Sequence, residues 1–413
     1  MVSVKSPSKN NIDEKKTNIS QEKLAVSGNE SQKSKDNIVL DCPFGKECGG
    51  CNGKGAQNEL IELKKKKLEL LFKPPYKVLP IISMENPFHY RNKVHAVVVQ
   101  KKGEITRGVY AENTHKVVAV KGCLIENEKA EPIIETICSM LKSFKILPYD
   151  EDRKTGLLRH ILVRVGHKSG QIMVVLVLSS PIFPSKNNFV KALIKAHCEI
   201  STIVLNVNER STSMVLGKKD IVIYGKGYIE DMLCDKVFKL SPQSFYQINS
   251  TQTEILYKKA IEYANFKGDE IVLDAYCGIG TIGIISASFC KNVIGVELNK
   301  DAVNDAKENA KRNGLKNIEF VCDDAGRYMN RLAADNKKID VLFIDPPRSG
   351  CSDEFINATN ALKPAKIIYI SCGAESLAQN IKQFSNYTIS PFQPVDMFPF
   401  TPHVECVVLM SRK

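Results

Sequence analysis

The feature that most constrains this chain is a change of rhythm at about residue 241, after which short apolar segments alternate with helical patterns. The apolar segments read EIVLDAY, NVIGVELN, IEFVCDD, IDVLFIDPP and KIIYISC. Between the second and third lies DAVNDAKENAKRNGL, an amphipathic helical pattern that ends at Gly314. Strand–helix alternation predicts an α/β domain with a doubly wound, mainly parallel sheet. Ligands of such sheets bind beyond the carboxyl ends of the strands, so a site is expected at that edge.

The chain divides into four parts by composition. Residues 1–40 are polar, lack aromatic residues and show no period, which predicts a disordered tail. Residues 41–87 hold a dense cysteine and glycine cluster and then a helical pattern. Residues 88–240 are rich in strand-like segments punctuated by Gly, Asn and Lys, which predicts a mostly antiparallel, α+β central domain. Residues 241–413 form the predicted catalytic domain.

The helical pattern AQNELIELKKKKLELLFK spans residues 56–73. Its predicted apolar side consists of Leu60, Ile61, Leu63 and Leu71. Four consecutive lysines cover the rest, and we expect them to form a solvated face rather than a dedicated RNA contact.

Charge and cysteine content limit the cellular setting and the partners. A formal net charge of +12 over 413 residues makes a polyanionic partner plausible, although charge says nothing about the fold. The sequence contains no apolar run near 20 residues and no apolar core near its N-terminus, which predicts neither a transmembrane helix nor a secretory signal. The 13 cysteines are an odd number. We therefore expect reduced thiols in the cytoplasm, with clustered cysteines serving metal binding or catalysis.

A glycine-containing loop follows the first apolar segment of the catalytic domain. It reads Asp274-Ala275-Tyr276-Cys277-Gly278-Ile279-Gly280-Thr281. Glycines allow the backbone to turn tightly and approach a ligand closely. The second segment ends in Glu297, where a carboxylate can accept hydrogen bonds from ribose hydroxyls, and the third runs into Asp323-Asp324. This spacing is shared by dinucleotide enzymes and methyltransferases.

The fourth segment separates these two classes, because it ends in Asp345-Pro346-Pro347. An acidic or amide residue followed by two prolines at this position is typical of methyltransferases that act on nucleobases. The prolines form a rigid, non-helical exit that can place backbone carbonyls over a planar base.

Cys372 and Glu405 are the candidate catalytic pair. Cys372 ends the fifth segment, and a helix predicted soon after it would favour the thiolate. Carbon 5 of uracil is too weak a nucleophile to take a methyl group unaided. Addition of a thiolate at carbon 6 activates the ring, and a general base must then remove the proton at carbon 5 so that the cysteine can leave. Glu405, just before the apolar segment CVVLM, fits the role of that base.

These motifs resemble the RNA uracil-5-methyltransferases, a family that includes 23S ribosomal RNA and transfer RNA enzymes, and the similarity covers roughly residues 42–413. The SPQSFYQIN segment at 241–249 resembles the one that precedes the family's cofactor fold. The resemblance implies a Rossmann-like class I methyltransferase domain, Cys372 as nucleophile and Glu405 as proton acceptor. It further implies that S-adenosyl-L-methionine (SAM) is bound by Gln247, Tyr276, Thr281, Glu297, Asp324 and Asp345. Thr281 and Asp324 stand where many members carry Asn, and the small β-barrel domain of many ribosomal relatives has no counterpart in residues 1–40.

A second group of cysteines has metal-ligand spacing. Cys42, Cys48 and Cys51 form C-x5-C-x2-C, and Cys123 is a fourth candidate. Four thiolates can hold zinc or an iron–sulfur cluster, and a three-plus-one spacing is the more typical of a cubane cluster. The pattern resembles the [4Fe–4S] site of the ribosomal enzymes, which also makes 23S ribosomal RNA the expected substrate over transfer RNA.

Two other functions remain open at this point. One is a non-catalytic RNA-binding protein with an iron–sulfur module, and the other is an amino-directed base methyltransferase, which would need no nucleophilic cysteine. We expect RNA as the partner, with no membrane or DNA partner, and a monomer. Candidate RNA contacts in the central domain are Arg91, Lys93, Arg159 and His160.

Overall fold

A computed structural model of the protein describes residues 38–101, 103–111, 114–210 and 214–413. Most of the predicted disordered tail lies outside these residues. The first strand begins at Val39, inside the stretch predicted as tail. None of the helices in the described residues is both long enough and apolar enough to cross a bilayer.

The cysteine-bearing segment at residues 38–90 is small and built on one antiparallel strand pair, β1 with β2. Its elements are β1 (Val39–Asp41), α1 (Gly45–Cys48), β2 (Lys54–Ala56) and α2 (Gln57–Leu71). The expectation that the lysines of α2 form a solvated face is wrong for Lys64, which is 3% exposed. The predicted apolar side is also wrong at Leu63, which is 60% exposed, whereas Leu68 is fully buried. Lys64 is buried because it pairs with a buried acidic residue, Asp396, which lies far along the chain.

The central domain is one sheet covered by helices on one face. Its strands are β3 (Lys93–Lys101), β4 (Glu104–Tyr110), β5 (Val117–Val118), β6 (Leu158–Val165), β7 (Ile172–Leu178), β8 (Ile200–Val207) and β9 (Lys219–Tyr224). They pair in the order β5-β4-β3-β6-β7-β8-β9, antiparallel except for the parallel pair β7–β8. The helices are α3 (Ala130–Leu141) and α4 (Lys186–Ala196).

Every residue of β6 and β7 is buried because both faces of the sheet are covered. One face packs against α3 and α4 through side chains such as Ile161 and Val174. The other face, with Leu162 and Val175, joins the core of the catalytic domain. The central sheet is therefore a fixed neighbour of the catalytic domain, and an antiparallel hairpin, β10 (Ile229–Leu233) and β11 (Lys236–Leu240), leads into it.

The catalytic domain has the class I methyltransferase arrangement, with helices on both faces of a mixed sheet. Its strands are β12 (Ile271–Ala275), β13 (Asn292–Glu297), β14 (Ile318–Cys322), β15 (Val341–Ile344), β16 (Lys366–Ser371), β17 (Tyr387–Ile389), β18 (Gln393–Val395) and β19 (Glu405–Arg412). The order is β14-β13-β12-β15-β16-β19-β17, with β18 also paired to β19. β12 to β16 are parallel, and β19 runs antiparallel to β16.

Several helices of this domain begin at the carboxyl edge of the sheet with a residue whose side chain caps the helix. The helices are α5 (Ser250–Ala264), α6 (Thr281–Ser286), α7 (Lys300–Arg312), α8 (Ala325–Ala334), α9 (Asp353–Leu362) and α10 (Ala374–Asn380), followed by the 3-10 turn Ile381–Gln383. Asn249, Asn299, Asp324 and Ser352 each accept a hydrogen bond from a backbone N–H in the first turn of α5, α7, α8 and α9 respectively. The helices thus start just after the strand ends, which leaves a cleft along that edge.

Candidate active site

The cleft lies beyond the carboxyl ends of β12, β13, β15 and β16 and has a volume of about 640 Å³. The structure brings together there all but one of the predicted catalytic and cofactor residues: Gln247, Tyr276, Thr281, Glu297, Asp345, Cys372 and Glu405. The exception is Asp324, which is not among the residues that line the cleft. Its side chain instead accepts from the N–H of Arg327, and its role in cofactor binding stays a prediction.

The loop after β12 has a backbone that only glycine adopts easily at two positions. Gly278 and Gly280 have φ values of 54° and 82°. A Cβ on Gly280 would also lie 2.7 Å from the ring of Phe320, so the tight turn depends on glycine there. Tyr276 adopts a φ of 62° without being glycine, and its ring lies 5.0 Å from that of Phe355. This packing holds the tyrosine at the cleft in a strained backbone conformation.

Glu297 is fixed by the same loop. One carboxylate oxygen accepts from the N–H of Gly278 at 3.1 Å, and the other accepts from the N–H of Asn299 at 2.8 Å. Each oxygen retains a further lone pair, so the carboxylate can still accept from two hydroxyls of a ribose.

Asp274, the first residue of the glycine-containing motif, also lines the cleft, and no role was predicted for it. It is 1% exposed, one oxygen accepts from the N–H of Gly283 at 2.8 Å, and the other oxygen has no hydrogen-bond partner in the structure. Burial raises the pKa of Asp274 to about 8. The signal for it was available, because a carboxylate directly after a buried apolar strand is costly unless it serves a partner.

Cys372 and Glu405 come from neighbouring antiparallel strands. Ser371 pairs with Cys406, so the residues next to this pair, Cys372 and Glu405, lie side by side at the cleft. Glu405 is 2% exposed, and its pKa is raised to about 8, mainly by burial and further by Asp345. Arg348 at the rim of the cleft acts in the opposite direction on this carboxyl.

The expectation that a helix start favours the Cys372 thiolate is not met. Burial, and then the nearby carboxylates of Glu405 and Asp345, raise the pKa of Cys372 to about 11. α10 does begin at Ala374 but is only 7 residues long, and burial has the largest effect on the pKa of the thiol. Burial also raises the pKa of Asp345 to about 7, so this cleft holds several acids that are reluctant to ionise.

Three further residues at the cleft were not predicted, although one of them, Phe245, belongs to the SPQSFYQIN segment noted in the sequence. Tyr257 of α5 reaches it from beneath, and Phe398 reaches it from the segment before β19. Phe245 lines the mouth and is 71% exposed, which is unusual for a phenylalanine. The cleft therefore combines buried acids with exposed aromatic surface.

The four candidate metal-binding cysteines line one small cavity. Cys42, Cys48, Cys51 and Cys123 are all free thiols, and they share the cavity with apolar side chains such as Leu40. Burial raises the pKa of Cys51, and raises that of Cys123 to about 11. As the side chains stand, the described residues contain no group of three or more Cys, His, Asp or Glu placed to hold a metal ion.

The structure removes two of the four candidate RNA contacts. Arg159 is 3% exposed, because its guanidinium donates to Glu151 and to the carbonyls of Asn208 and Arg210. His160 is 6% exposed, and burial lowers its pKa to about 3. A buried arginine with satisfied donors and a neutral buried histidine cannot bind phosphates.

The two remaining candidate contacts differ. Lys93 is half-buried, and burial lowers its pKa to about 8. A larger fraction of this side chain is therefore uncharged near neutral pH than for an ordinary lysine. Arg91 is partly exposed and keeps its place as a candidate.

A model of the tRNA (uracil-5-)-methyltransferase family matches residues 56–413. The chain belongs to this family. It is therefore a SAM-dependent RNA methyltransferase, as the joint presence of the cofactor and catalytic residues in one cleft predicts. The alternative of a non-catalytic RNA-binding protein is not supported.

Similar proteins agree along most of the chain. An uncharacterized RNA methyltransferase of Caldanaerobacter subterraneus subsp. tengcongensis is 39% identical over 388 residues, covering 92% of this chain and 86% of the relative. One from Oceanobacillus iheyensis is 40% identical over 377 residues, covering 89% and 82%. Among solved structures, the tRNA (uracil-54, C5)-methyltransferase of Pyrococcus abyssi in complex with S-adenosyl-L-homocysteine superposes with a TM-score of 0.74 at 27% identity, covering 87% of this chain and 84% of that one.

Proposed function

We propose that this enzyme methylates carbon 5 of a uridine in RNA, with Cys372 as covalent nucleophile and Glu405 as general base. The observation that carries the proposal is that these two side chains lie next to each other in the cleft that also contains Asp345-Pro346-Pro347 and the candidate cofactor residues. A thiol and a carboxyl on neighbouring strands can act on the two adjacent ring carbons that this reaction changes.

Bound SAM supplies the methyl group as an electrophile on a positively charged sulfur. The Cys372 thiolate adds to carbon 6 of the uracil, and the electron pair displaced from the double bond lets carbon 5 bond to the methyl group. The bond from the methyl group to the sulfur breaks at the same time, and its electron pair stays on the sulfur, which becomes neutral. Glu405 then accepts the proton of carbon 5. The electrons of that C–H bond re-form the ring double bond, which breaks the bond from carbon 6 to sulfur and returns the thiolate. The ring gains a methyl group and loses a proton, and the enzyme is regenerated.

The charges of the cleft suit a cationic cofactor. The raised pKa values of Asp274, Asp345 and Glu405 all arise mainly from burial. A positive sulfur placed among them stabilises their ionised forms and also favours the Cys372 thiolate. Glu297, with free lone pairs on both oxygens, fits the ribose of the same cofactor.

For the substrate we propose 23S ribosomal RNA, on the strength of the four-cysteine pattern that resembles ribosomal members of the family. Transfer RNA is the second candidate, because the Pyrococcus abyssi neighbour acts on uracil 54 of tRNA. Both substrates require an accessible uridine in a loop, which the exposed ring of Phe245 at the mouth of the cleft could stack against.

We propose in addition that Cys42, Cys48, Cys51 and Cys123 hold a [4Fe–4S] cluster. The support is that these four cysteines are free thiols and line a single cavity with apolar walls. Such a cavity suits a thiolate-bound cluster shielded from water. The sulfurs must turn toward a common centre to bind it, since the side chains as they stand form no metal-holding group. The cluster is a structural or RNA-orienting element in this proposal and takes no part in the methyl transfer.

The experiment that tests the proposed function is methyl transfer from labelled SAM to transcripts of 23S ribosomal RNA and of tRNA. We expect 5-methyluridine in the ribosomal transcript, formed by the parent and by the control variant Cys198→Ala, which changes an exposed thiol of the central domain. Methylation of tRNA alone would make tRNA the substrate. Methyl groups on a base amine, or on neither RNA, would overturn the proposal.

A further inference from the structure

Residues 396–404, here called the strap, connect β18 to β19 and border the cleft. Phe398 lines the cleft from within the strap, and Glu405 follows directly after it as the first residue of β19. The strap lies in the described part of the chain and forms turns there, without helix or strand. Its position therefore depends on the groups that bind it from elsewhere.

Lys64 of α2 binds the strap at its first residue. Its ammonium lies 2.5 Å from a carboxylate oxygen of Asp396 and donates to the carbonyl of Phe398 at 3.1 Å. Lys64 and Asp396 are 3% and 1% exposed. A buried ion pair of this kind is sensitive to loss of either partner, because the remaining charge stays buried without compensation.

Three other hydrogen bonds join the cysteine-bearing segment to the strap, and in the first of them the N–H of Asp396 donates to the carbonyl of Ile82 at 2.9 Å. The hydroxyl of Tyr90 donates to the carbonyl of Pro399 at 3.1 Å, and the N–H of Asn52 donates to the carbonyl of Phe400 at 2.7 Å. Phe400 itself has a φ of 62°, and its ring stacks on that of Phe88 with the ring centres 5.6 Å apart. It belongs to a buried cluster that includes Leu40 and against which Cys51 and Cys123 pack. A bulky residue keeps such a strained backbone only where its surroundings over-determine it.

We propose that Lys64 is a positioning residue for the removal of the carbon 5 proton: together with Tyr90 it holds the strap so that Glu405 faces the ring. This inference rests on the proposed function, since it requires Glu405 to be the base. Cys372 directly follows β16, and most of the cofactor residues are carried by the loops after β12, β13 and β15. The segment before α5 binds the strap through the amide of Asn249, which donates to the carbonyl of Met397 at 3.0 Å, and the Lys64 and Tyr90 variants keep this bond. Loosening the strap should therefore leave cofactor binding and cysteine attack in place and slow the proton step.

The test compares Lys64→Met with Lys66→Met, the same change on the exposed side of α2, in single turnover with labelled SAM and RNA. Lys64→Met should bind the cofactor with parental affinity and form the methylated uridine bonded to Cys372, but release it about 100-fold more slowly, the cost of a misplacement of about 1 Å. The adduct should be visible on a denaturing gel for Lys64→Met and not for Lys66→Met. Tyr90→Phe removes one hydroxyl and should slow release about fivefold, as expected for the loss of a single hydrogen bond.

Three results would overturn the inference. Normal turnover of both Lys64→Met and Tyr90→Phe would show that the strap needs neither bond. Loss of methyl transfer without an adduct would place the effect before the proton step. If Lys64→Met does not fold, Tyr90→Phe decides alone, and release at the parental rate would refute the idea. Failure of the parent to methylate uridine would instead overturn the proposed function itself and this inference with it.

Discussion

Replacing Glu405 by Gln separates methyl transfer from release of the enzyme. The amide keeps the size of the buried side chain, which is 2% exposed, but cannot accept the carbon 5 proton. A positioned general base contributes about 10²- to 10⁴-fold to such a step, so release should slow by that factor. Methyl transfer precedes proton removal and should continue. The variant is therefore expected to accumulate a covalent protein–RNA adduct that already carries the methyl group.

The raised pKa of Glu405 adds a second, quantitative expectation. After transfer the cofactor sulfur is uncharged, so the pKa of about 8 in the free protein is the appropriate reference. At pH 7 only about a tenth of the carboxyl is ionised, and at pH 9 about nine tenths is, because ionisation changes tenfold per pH unit below the pKa. Release by the parent should thus accelerate about tenfold from pH 7 to pH 9, and Glu405→Gln should lack this acceleration.

The assay is a single turnover with methyl-labelled SAM, quenched at intervals and resolved on denaturing gels at both pH values. The double variant Cys372→Ala, Glu405→Gln is the control and should show no adduct. Nearly normal turnover of Glu405→Gln without adduct would refute its role as the base. An adduct without the methyl group would place Glu405 before the transfer step.

Four other outcomes are expected. Cys372→Ala should abolish methyl transfer while cofactor affinity survives, and activity within tenfold of the parent would rule out the covalent mechanism. Without cofactor, the free energy of unfolding should fall as pH rises from 5 to 7, because Asp274, Asp345 and Glu405 stay protonated only in the folded chain. Each of these groups contributes a slope of about 1.4 kcal/mol per pH unit. Thermal melts in which Glu405→Gln leaves this slope unchanged would contradict the argument. RNA affinity should decrease steeply with salt as counterions are released, and an affinity independent of salt would argue against an RNA substrate. Anaerobically purified protein should be brown with about four irons per chain, and stoichiometric zinc without iron would refute the cluster.

The sequence was most informative where chemistry sits at the ends of regular strands. Glu297, Asp345 and Cys372 each follow a short apolar run, and the carboxyl ends of parallel strands meet at one edge of a sheet. Their convergence in one cleft could therefore be predicted from local patterns alone. The place of Glu405 could not be predicted from its own segment alone, because its position depends on the antiparallel pairing of β16 with β19.

The errors concern burial, which depends on partners far away in the chain. Lys64 belongs to a run of lysines that looks solvated, yet its partner Asp396 is 332 residues distant. Arg159 looks available for phosphate, yet Glu151 and carbonyls about 50 residues later occupy its donors. The pKa of the Cys372 thiol is likewise raised by its burial and then by Glu405 and Asp345, which come from other parts of the chain. No window of adjacent residues contains this information.

The contact between α2 and the strap also sets the order in which the enzyme can be completed during synthesis. Lys64 leaves the ribosome 332 residues ahead of Asp396, which at about 5–20 residues per second is an interval of roughly 20–60 s. Throughout that time the buried cluster around Leu40, against which Cys51 and Cys123 pack, lacks Phe400, one of its members. The proposed nucleophile Cys372 is made before the proposed base Glu405, so a chain stopped between the two would lack β19, the strand that pairs with β16. The strap and β19 thus contribute both to the buried cluster around Leu40 and to the proposed catalytic pair.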